Sequence, residues 1–353
     1  MKIAIDNDSH FGMRGDNLNM MEYAARFYDE IFFPEIEARK IDTIIHLGDI
    51  VDRRKFINFN ILSKIKKCFI NPIIEKDLHC HILIGNHDSF YKNTLEVNAI
   101  HELFGRETKN FFIVDKPILI NPNHVNLGLV PWINAENSDK CKSFIKKTKA
   151  QILMGHFEIN GFELMPGVFS REGFQRNYFR RFDMVLSGHY HKKMQRDNIH
   201  YLGSPYEITW ADYGDRRGFH IFDTETRELT FIENPNVIFK KLFYDDSQSN
   251  DYKDFDVTSY KGCYVKLIVV NKTNPYFFER FLTRLYEADL SDLNVIEDFK
   301  DYEVADNVMD MAKSTPELLN EYIDGLNINE DKERLKKLMT EFYTEAVSIG
   351  DDL

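Results

Sequence analysis

The chain has 353 residues, of which 43% are hydrophobic, with 57 Asp and Glu against 45 Lys and Arg. This length supports a large core and more than one domain, and no apolar run approaches the roughly 20 residues that cross a bilayer. The net charge of −12 argues against a stand-alone nucleic-acid binder, which needs a basic surface to displace counterions. Divalent cations at clustered carboxylates would offset part of that acidity.

The first residues enter a strand directly, without a signal-peptide pattern. Lys2–Ile5 reads as a buried strand and leads to Asp8-Ser9-His10. Asn19–Lys40 reads as a helix, with Met20, Ala24, Phe27, Ile31 and Ile36 near helical spacing. Thr43–Leu47 is the next strand and ends at Gly48-Asp49-Ile50-Val51-Asp52, and Asn58–Glu75 is the second helix. Three more apolar runs follow: His81–Ile84 before Gly85-Asn86-His87-Asp88, Gln151–Met154 before Gly155-His156, and Met184–Leu186 before Gly188-His189-Tyr190-His191. This alternation, to about residue 235, is that of a layered α/β domain.

Beyond Gly203, Gly218–Asp223, Glu228–Glu233 and Val237–Tyr244 read as antiparallel strands of a second sheet packed on the first. Asp245–Asp256, rich in Asp and Ser, reads as a linker. Gly262–Asn271 as strand, Pro275–Ala288 as helix and Asp292–Asp298 as strand make a small α+β domain. In the tail, Thr315 caps a helix that starts with Pro316 and stops at Gly325. Its apolar face holds Leu318, Leu319, Tyr322 and Ile323; a second helix carries Leu335, Leu338, Met339, Phe342 and Tyr343. Such a hairpin either folds back on its own domain or grips a partner, and the aromatic residues favour a partner. The expected organisation is thus a main domain over 1–244, a small domain over 257–300 and a helical segment over 313–348. Cys68, Cys80, Cys141 and Cys263 lack C-x-x-C spacing, as befits reduced thiols in a cytosolic protein.

The five polar segments bring carboxylates, an Asn and imidazoles to the carboxyl ends of successive strands, where open α/β sheets bind ligands. Hydrolysing a phosphodiester needs a nucleophile, charge neutralisation and protonation of the leaving oxygen, and a pair of metal ions supplies the first two. Asp8 and His10, at i and i+2, can share one face. Asp49, after Gly48, is assigned as the bridging carboxylate; Asn86 offers a neutral oxygen; His156, His189 and His191 offer nitrogen. This mixed set suits Mn²⁺, with Fe²⁺ or Zn²⁺ as options and Mg²⁺ less favoured. His87 is assigned as general acid, with Asp88 orienting it or raising its pKa. Asp52 is expected to orient a ligand imidazole or the loop after Asp49.

These residues resemble the signature of the calcineurin-like metallophosphoesterases. Gly155–Phe162, Val130-Pro131-Trp132, Tyr201–Pro205, Arg217-Gly218-Phe219 and Phe222–Thr226 are similar to the phage recombination endonuclease subunits, relatives of the SbcD-type nucleases. The resemblance implies a β-sandwich flanked by helices, a small α+β capping domain that contacts DNA and a C-terminal helical hairpin. It implies one metal ion on Asp8, His10, Asp49 and His191, a second on Asp49, Asn86, His156 and His189, and His87 as catalytic histidine. It further implies Mn²⁺ dependence with weaker use of Mg²⁺, double-strand exonuclease and single-strand endonuclease activity, and a role in DNA repair and recombination. The implied partners are DNA and an SMC-like coiled-coil ATPase of SbcC type, in a heterotetramer built on a homodimer, in the cytoplasm of a host cell if phage-encoded. Asp6 departs from the pattern, since relatives usually carry an uncharged residue there.

Arg14, Arg53, Arg54, Lys55, Lys192 and Lys193 lie just beyond ligand segments, and Arg216 and Arg217 lie in a later loop; together they would make a phosphate track. A phosphatase of the same superfamily and a non-catalytic scaffold subunit are the competing readings.

Overall fold

The strands form where β-branched and aliphatic residues run between turn residues. The computed structural model describes residues 1–104, 109–165, 168–171, 173–248, 252–297, 320, 323–324, 332–339 and 342. In chain order its first strands are β1 (Lys2–Asp6), β2 (Thr43–His46), β3 (His79–Leu83), β4 (Phe111–Val114), β5 (Ile118–Ile120), β6 (Leu127–Val130) and β7 (Ile152–Gly155). A short hairpin, β8 (Glu163–Met165) and β9 (Val168–Phe169), precedes β10 (Met184–Ser187), β11 (Met194–Arg196), β12 (Ile199–Tyr201), β13 (Gly218–Asp223) and β14 (Leu229–Glu233). The described residues divide into two units: 1–208 with 214–236, and 209–213 with the described residues from 237 onward.

The larger unit is a sandwich of two six-stranded sheets, ordered β14-β13-β1-β2-β3-β4 and β11-β12-β10-β7-β6-β5. Strands β1 to β4 are parallel neighbours, as are β6, β7, β10 and β12. Ile3, Ile5, Ile45, Leu83, Leu127, Leu129, Met154 and Leu186 fill the space between the sheets. The outer face of the first sheet is covered by Leu18–Phe27 and Phe59–Ile65 and their continuations, with Phe32 on Phe219 of β13 and Phe69 between Tyr28 and His46. Asn17 starts the first helix by accepting the N–H groups of Asn19 and Met20. Each of these helices passes through a π turn, Tyr28–Phe32 and Lys66–Ile70, immediately before the segment that carries Pro34 or Pro72. Proline lacks the N–H that an unbroken ladder needs, and a widened turn accommodates it. Helix Ser138–Lys147 covers the second sheet with Cys141 and Ile145.

Two expectations change here. Strands β13 and β14 do not complete the second sheet; they extend the first, with β13 antiparallel to β1. The strand expected at Val237–Tyr244 is β15 (Phe239–Asp245), and it does not pair with them. It pairs in parallel with β16 (Tyr264–Asn271), which pairs in parallel with β17 (Asp292–Ile296). The smaller unit therefore begins before the expected linker. Asp246 within that stretch is buried and accepts hydrogen bonds from the N–H groups of Thr273 and Asn274 and from Tyr244 Oη. Helix Pro275–Glu287 packs Phe278, Phe281 and Leu285 on Leu242, Val265 and Leu267.

Residues 320, 323–324, 332–339 and 342 of the tail are helical. Ile323 is buried, Leu335 and Met339 are half-buried, and Leu338 and Phe342 are exposed. Leu318, Leu319, Tyr322 and Tyr343 lie outside the described residues.

Candidate metal centre

Five loops at the carboxyl ends of β1, β2, β3, β7 and β10 converge in the larger unit. The first two are laced by backbone bonds: Asp8 N–H to Gly48 O (3.0 Å), His10 N–H to Asp49 O (3.1 Å), Phe11 N–H to Ile50 O (2.8 Å) and Asp52 N–H to Phe11 O (3.0 Å). Four ligand candidates adopt positive φ: Asp8 (52°), His10 (42°), Asp49 (57°) and His189 (87°). Such backbone is costly for residues with a Cβ and persists where surrounding contacts enforce it, commonly at functional sites. Gly85 cannot carry a side chain, because a Cβ there would stand 2.1 Å from Asp49 Oδ1.

The seven expected ligands are brought together. His10 Nε2 and His191 Nε2 are 3.0 Å apart, and Asp8 completes a group with them. Asp49, His156 and His189 form another group, and His10, Asp49 and His87 a third. Asp49 Oδ2 lies 3.2 Å from His156 Nε2 and 3.7 Å from His10 Nε2. Asn86 Oδ1 lies 2.8 Å from His156 Nε2 and 2.9 Å from His189 Nδ1. The far nitrogens of two imidazoles are committed elsewhere. His156 Nδ1 is 2.9 Å from Leu47 O, and His10 Nδ1 is 3.2 Å from Asp52 Oδ1. Donation from His156 Nδ1 to that carbonyl leaves its Nε2 facing carboxylate and amide oxygens, and the approach of Asp52 to His10 Nδ1 leaves Nε2 of His10 facing Asp49. Buried lone pairs crowded in this way fit divalent cations, and the outward hydrogen bonds are those that orient metal-binding imidazoles.

The charges within the cluster point the same way. Burial disfavours an imidazolium at His10, yet its hydrogen bond to Asp52 and the charges of Asp49, Asp52 and Asp8 raise it to about 9. At His156 burial is likewise outweighed, chiefly by Asp49, and the pKa also rises to about 9. Burial and the His156 charge lower His189 to about 3. Asp49 is held well below the carboxylate range: burial opposes its charge, but His156 and His87 prevail. Carboxylates buried this close together call for positive charge, which bound cations would supply.

The residues around the ligands differ in part from expectation. Asp88 does not reach for His87. Its buried carboxylate accepts the N–H groups of Gly85 (2.9 Å), Asp49 (2.8 Å), Ile50 (2.9 Å) and Val51 (3.2 Å), so it ties the loop after β3 to that after β2. His87 is instead held by Asp52, whose carbonyl oxygen is 2.7 Å from Nδ1. Asp6 turns to a buried network: Tyr28 Oη donates to Asp6 Oδ2 (2.8 Å), and Ser9 Oγ bonds Tyr28 and His46 (2.7 Å each). Burial raises Asp6 to about 7. The sequence gives no sign of this role for Tyr28 or Ser9, because their partners lie far away along the chain.

The cations are unevenly placed. Arg14 and Lys55 are exposed. Arg53 pairs with Asp16 (3.2 Å), Arg54 lies over Trp132 (5.8 Å), Lys192 pairs with Glu163 (2.8 Å) and Lys193 Nζ sits 3.5 Å from the Phe231 centroid. Arg217 is not on a phosphate track. It is buried and donates to the His191 carbonyl and to Ser204 Oγ, holding a ligand loop in place. Arg216 pairs with Glu233.

Comparison with known proteins adds an independent line. A family model described as calcineurin-like phosphoesterase matches residues 1–193. The chain is 30% identical to exonuclease subunit 1 of Enterobacteria phage T4, over 98% of this chain and 99% of the relative. It is 23% identical to the SbcD component of the SbcCD nuclease of Staphylococcus epidermidis, over 79% and 78% of the two chains, and 22% identical to the counterpart of the same name in Staphylococcus saprophyticus, over 65% and 67%.

Proposed function

This chain belongs to the calcineurin-like phosphoesterase family and is a hydrolytic nuclease subunit of the SbcD and phage-exonuclease type, and we propose that it cuts DNA phosphodiesters at the centre described above, with Mn²⁺ as its preferred ion. The observation that carries this reading is Asp49, whose one carboxylate oxygen adjoins both His10 and His156. One ion would be held by Asp8, His10, Asp49 and His191, and the other by Asp49, Asn86, His156 and His189. When bound, such ions supply water activation and neutralise phosphoryl charge. The oxygen and nitrogen donor set, without thiolate, suits Mn²⁺, and Mg²⁺ less well.

The protein's own groups do the rest. His87 donates a proton from Nε2 to the leaving alkoxide, while its Nδ1–H rests on the Asp52 carbonyl. Arg14 and Lys55, both exposed, bind backbone phosphates together with Arg53, Arg54, Lys192 and Lys193, and those that hold partners exchange them for phosphate. The smaller unit caps DNA. The tail residues Ile323, Leu335, Leu338, Met339 and Phe342, with Leu318, Leu319, Tyr322 and Tyr343, grip an SMC-like coiled-coil ATPase of SbcC type. The chain acts as a homodimer within that complex, in the cytoplasm. The test is a nuclease assay with Mn²⁺ on blunt duplex and on circular single strands, with and without an SMC-like ATPase. Cleavage that requires Mn²⁺ and stops with EDTA supports the reading; no cleavage with any divalent ion or partner contradicts it.

A further inference from the structure

Two stretches that hold no metal ligand close on the metal loops: residues 203–206, which follow β12, and Arg217, which stands just before β13. Gly203 has φ +77°, and a Cβ there would stand 2.9 Å from the His191 carbonyl oxygen and 2.9 Å from Lys193 N. Glycine meets both the conformation and the close approach. Ser204 N–H donates to that same carbonyl (2.9 Å). Arg217, with 3% of its side chain exposed, donates from Nη1 to the carbonyl and to Ser204 Oγ (2.7 Å), while its Nη2 meets Asp215 (3.1 Å).

The same turn reaches two further ligands. Asn7 is buried, and its Nδ2 donates to Gly203 O (2.9 Å) and to Asp8 Oδ2 (2.6 Å), so one amide joins the turn to a ligand carboxylate. Tyr206 Oη donates to the carbonyl of Ser9, which lies between Asp8 and His10. Asp8, His10 and His191 are the residues grouped around one ion position. The other ion's ligands are supported elsewhere. His156 Nδ1 rests on Leu47 O, and Asn86 Oδ1 lies between the rings of His156 and His189. The Asp8 carboxylate does accept His189 N–H (3.0 Å), but the His189 ring faces Asn86.

We infer that the turn at 203–206, with Asn7 and Arg217 as positioning residues, sets the affinity of the ion held by Asp8, His10, Asp49 and His191. The ion held by Asp49, Asn86, His156 and His189 is left largely independent of it. The inference rests on the ligand sets proposed above. Hydrogen bonds that orient metal ligands are typically worth about 10–100-fold in affinity. The ion so controlled is the one beside the general acid, because the His87 ring stands edge to face on His10 with centroids 4.7 Å apart.

Arg217→Met and Asn7→Ala cut the two attachments of the turn. Each is placed in two full-length backgrounds: Asn86→Ala, which keeps the first ion, and His191→Ala, which keeps the second. Mn²⁺ binding to the metal-free chains is measured by equilibrium titration. Each substitution should weaken the ion left in Asn86→Ala by about 10–100-fold and shift the ion left in His191→Ala by less than about twofold. Arg217→Lys keeps one donor for the His191 carbonyl and should recover part of the loss; it also replaces Arg217→Met if that chain does not fold. General destabilisation would not discriminate between the two ions. Equal weakening of both ions, or weakening of neither, overturns the inference. A wild type that binds no pair of Mn²⁺ ions, or single variants that keep no ion, overturn the ligand sets themselves and the inference with them.

Discussion

Asp88 accepts four backbone N–H groups while fully buried. Burial, together with the charge of Asp49, raises it to about 6, against the pull of those N–H groups. Asp88→Asn would turn an NH₂ towards donors that need an acceptor. We expect a loss of about 2–4 kcal/mol and weaker Mn²⁺ binding, read by thermal melting and metal titration; an unchanged Tm would show that the clamp is dispensable. His87 behaves differently because its side chain makes a single bond to the loop after β2, at the Asp52 carbonyl, where Asp88 makes three. His87→Ala should lower kcat by about 10²–10⁴-fold with Mn²⁺ stoichiometry intact, and full activity in that variant would remove it from the chemistry. The convergence of the seven side chains was legible in sequence, because each stands within a few residues of a strand end. The roles of Asp88, Asp6 and Arg217 were not, since each is defined by atoms from a distant segment: the loop after β2, Tyr28, and the carbonyl of His191.

At the scale of elements, apolar runs located the strands well but not always their neighbours. Phe239–Asp245 has the residues of a strand, yet nothing in its pattern distinguishes an antiparallel place beside β14 from the parallel place it takes beside β16. Its neighbour Asp246 looks like linker by composition, and only the fold reveals it as the acceptor that fixes the entry to helix Pro275–Glu287. Asp246→Ala should therefore destabilise the smaller unit by about 1–3 kcal/mol. Hydrogen exchange should quicken across 239–296 while the sandwich strands keep their protection. Equal protection in variant and wild type would return that stretch to the status of a linker.

Across the whole molecule, buried ionisable groups shape the response to acid. Burial lowers His220 to about 3, with Lys193 and His200 adding to the effect. The folded chain keeps it neutral, while the unfolded chain protonates it near 6.5, so its stabilising contribution is lost as pH falls from about 6.5 towards 3. Asp6, raised to about 7, acts in the opposite sense over part of that range, so only a comparison of variants isolates one group. His220→Phe should flatten the decline of stability by about 1.4 kcal/mol per pH unit between roughly pH 6 and 4, measured by urea unfolding; parallel curves for variant and wild type would contradict this. Two sheets deliver seven side chains to a common point, built to hold a pair of ions. Equilibrium binding of Mn²⁺ to the metal-free chain should show two ions per wild-type chain and loss of both tight sites in Asp49→Ala; no stoichiometric binding, or binding indifferent to that substitution, would contradict a shared two-ion centre.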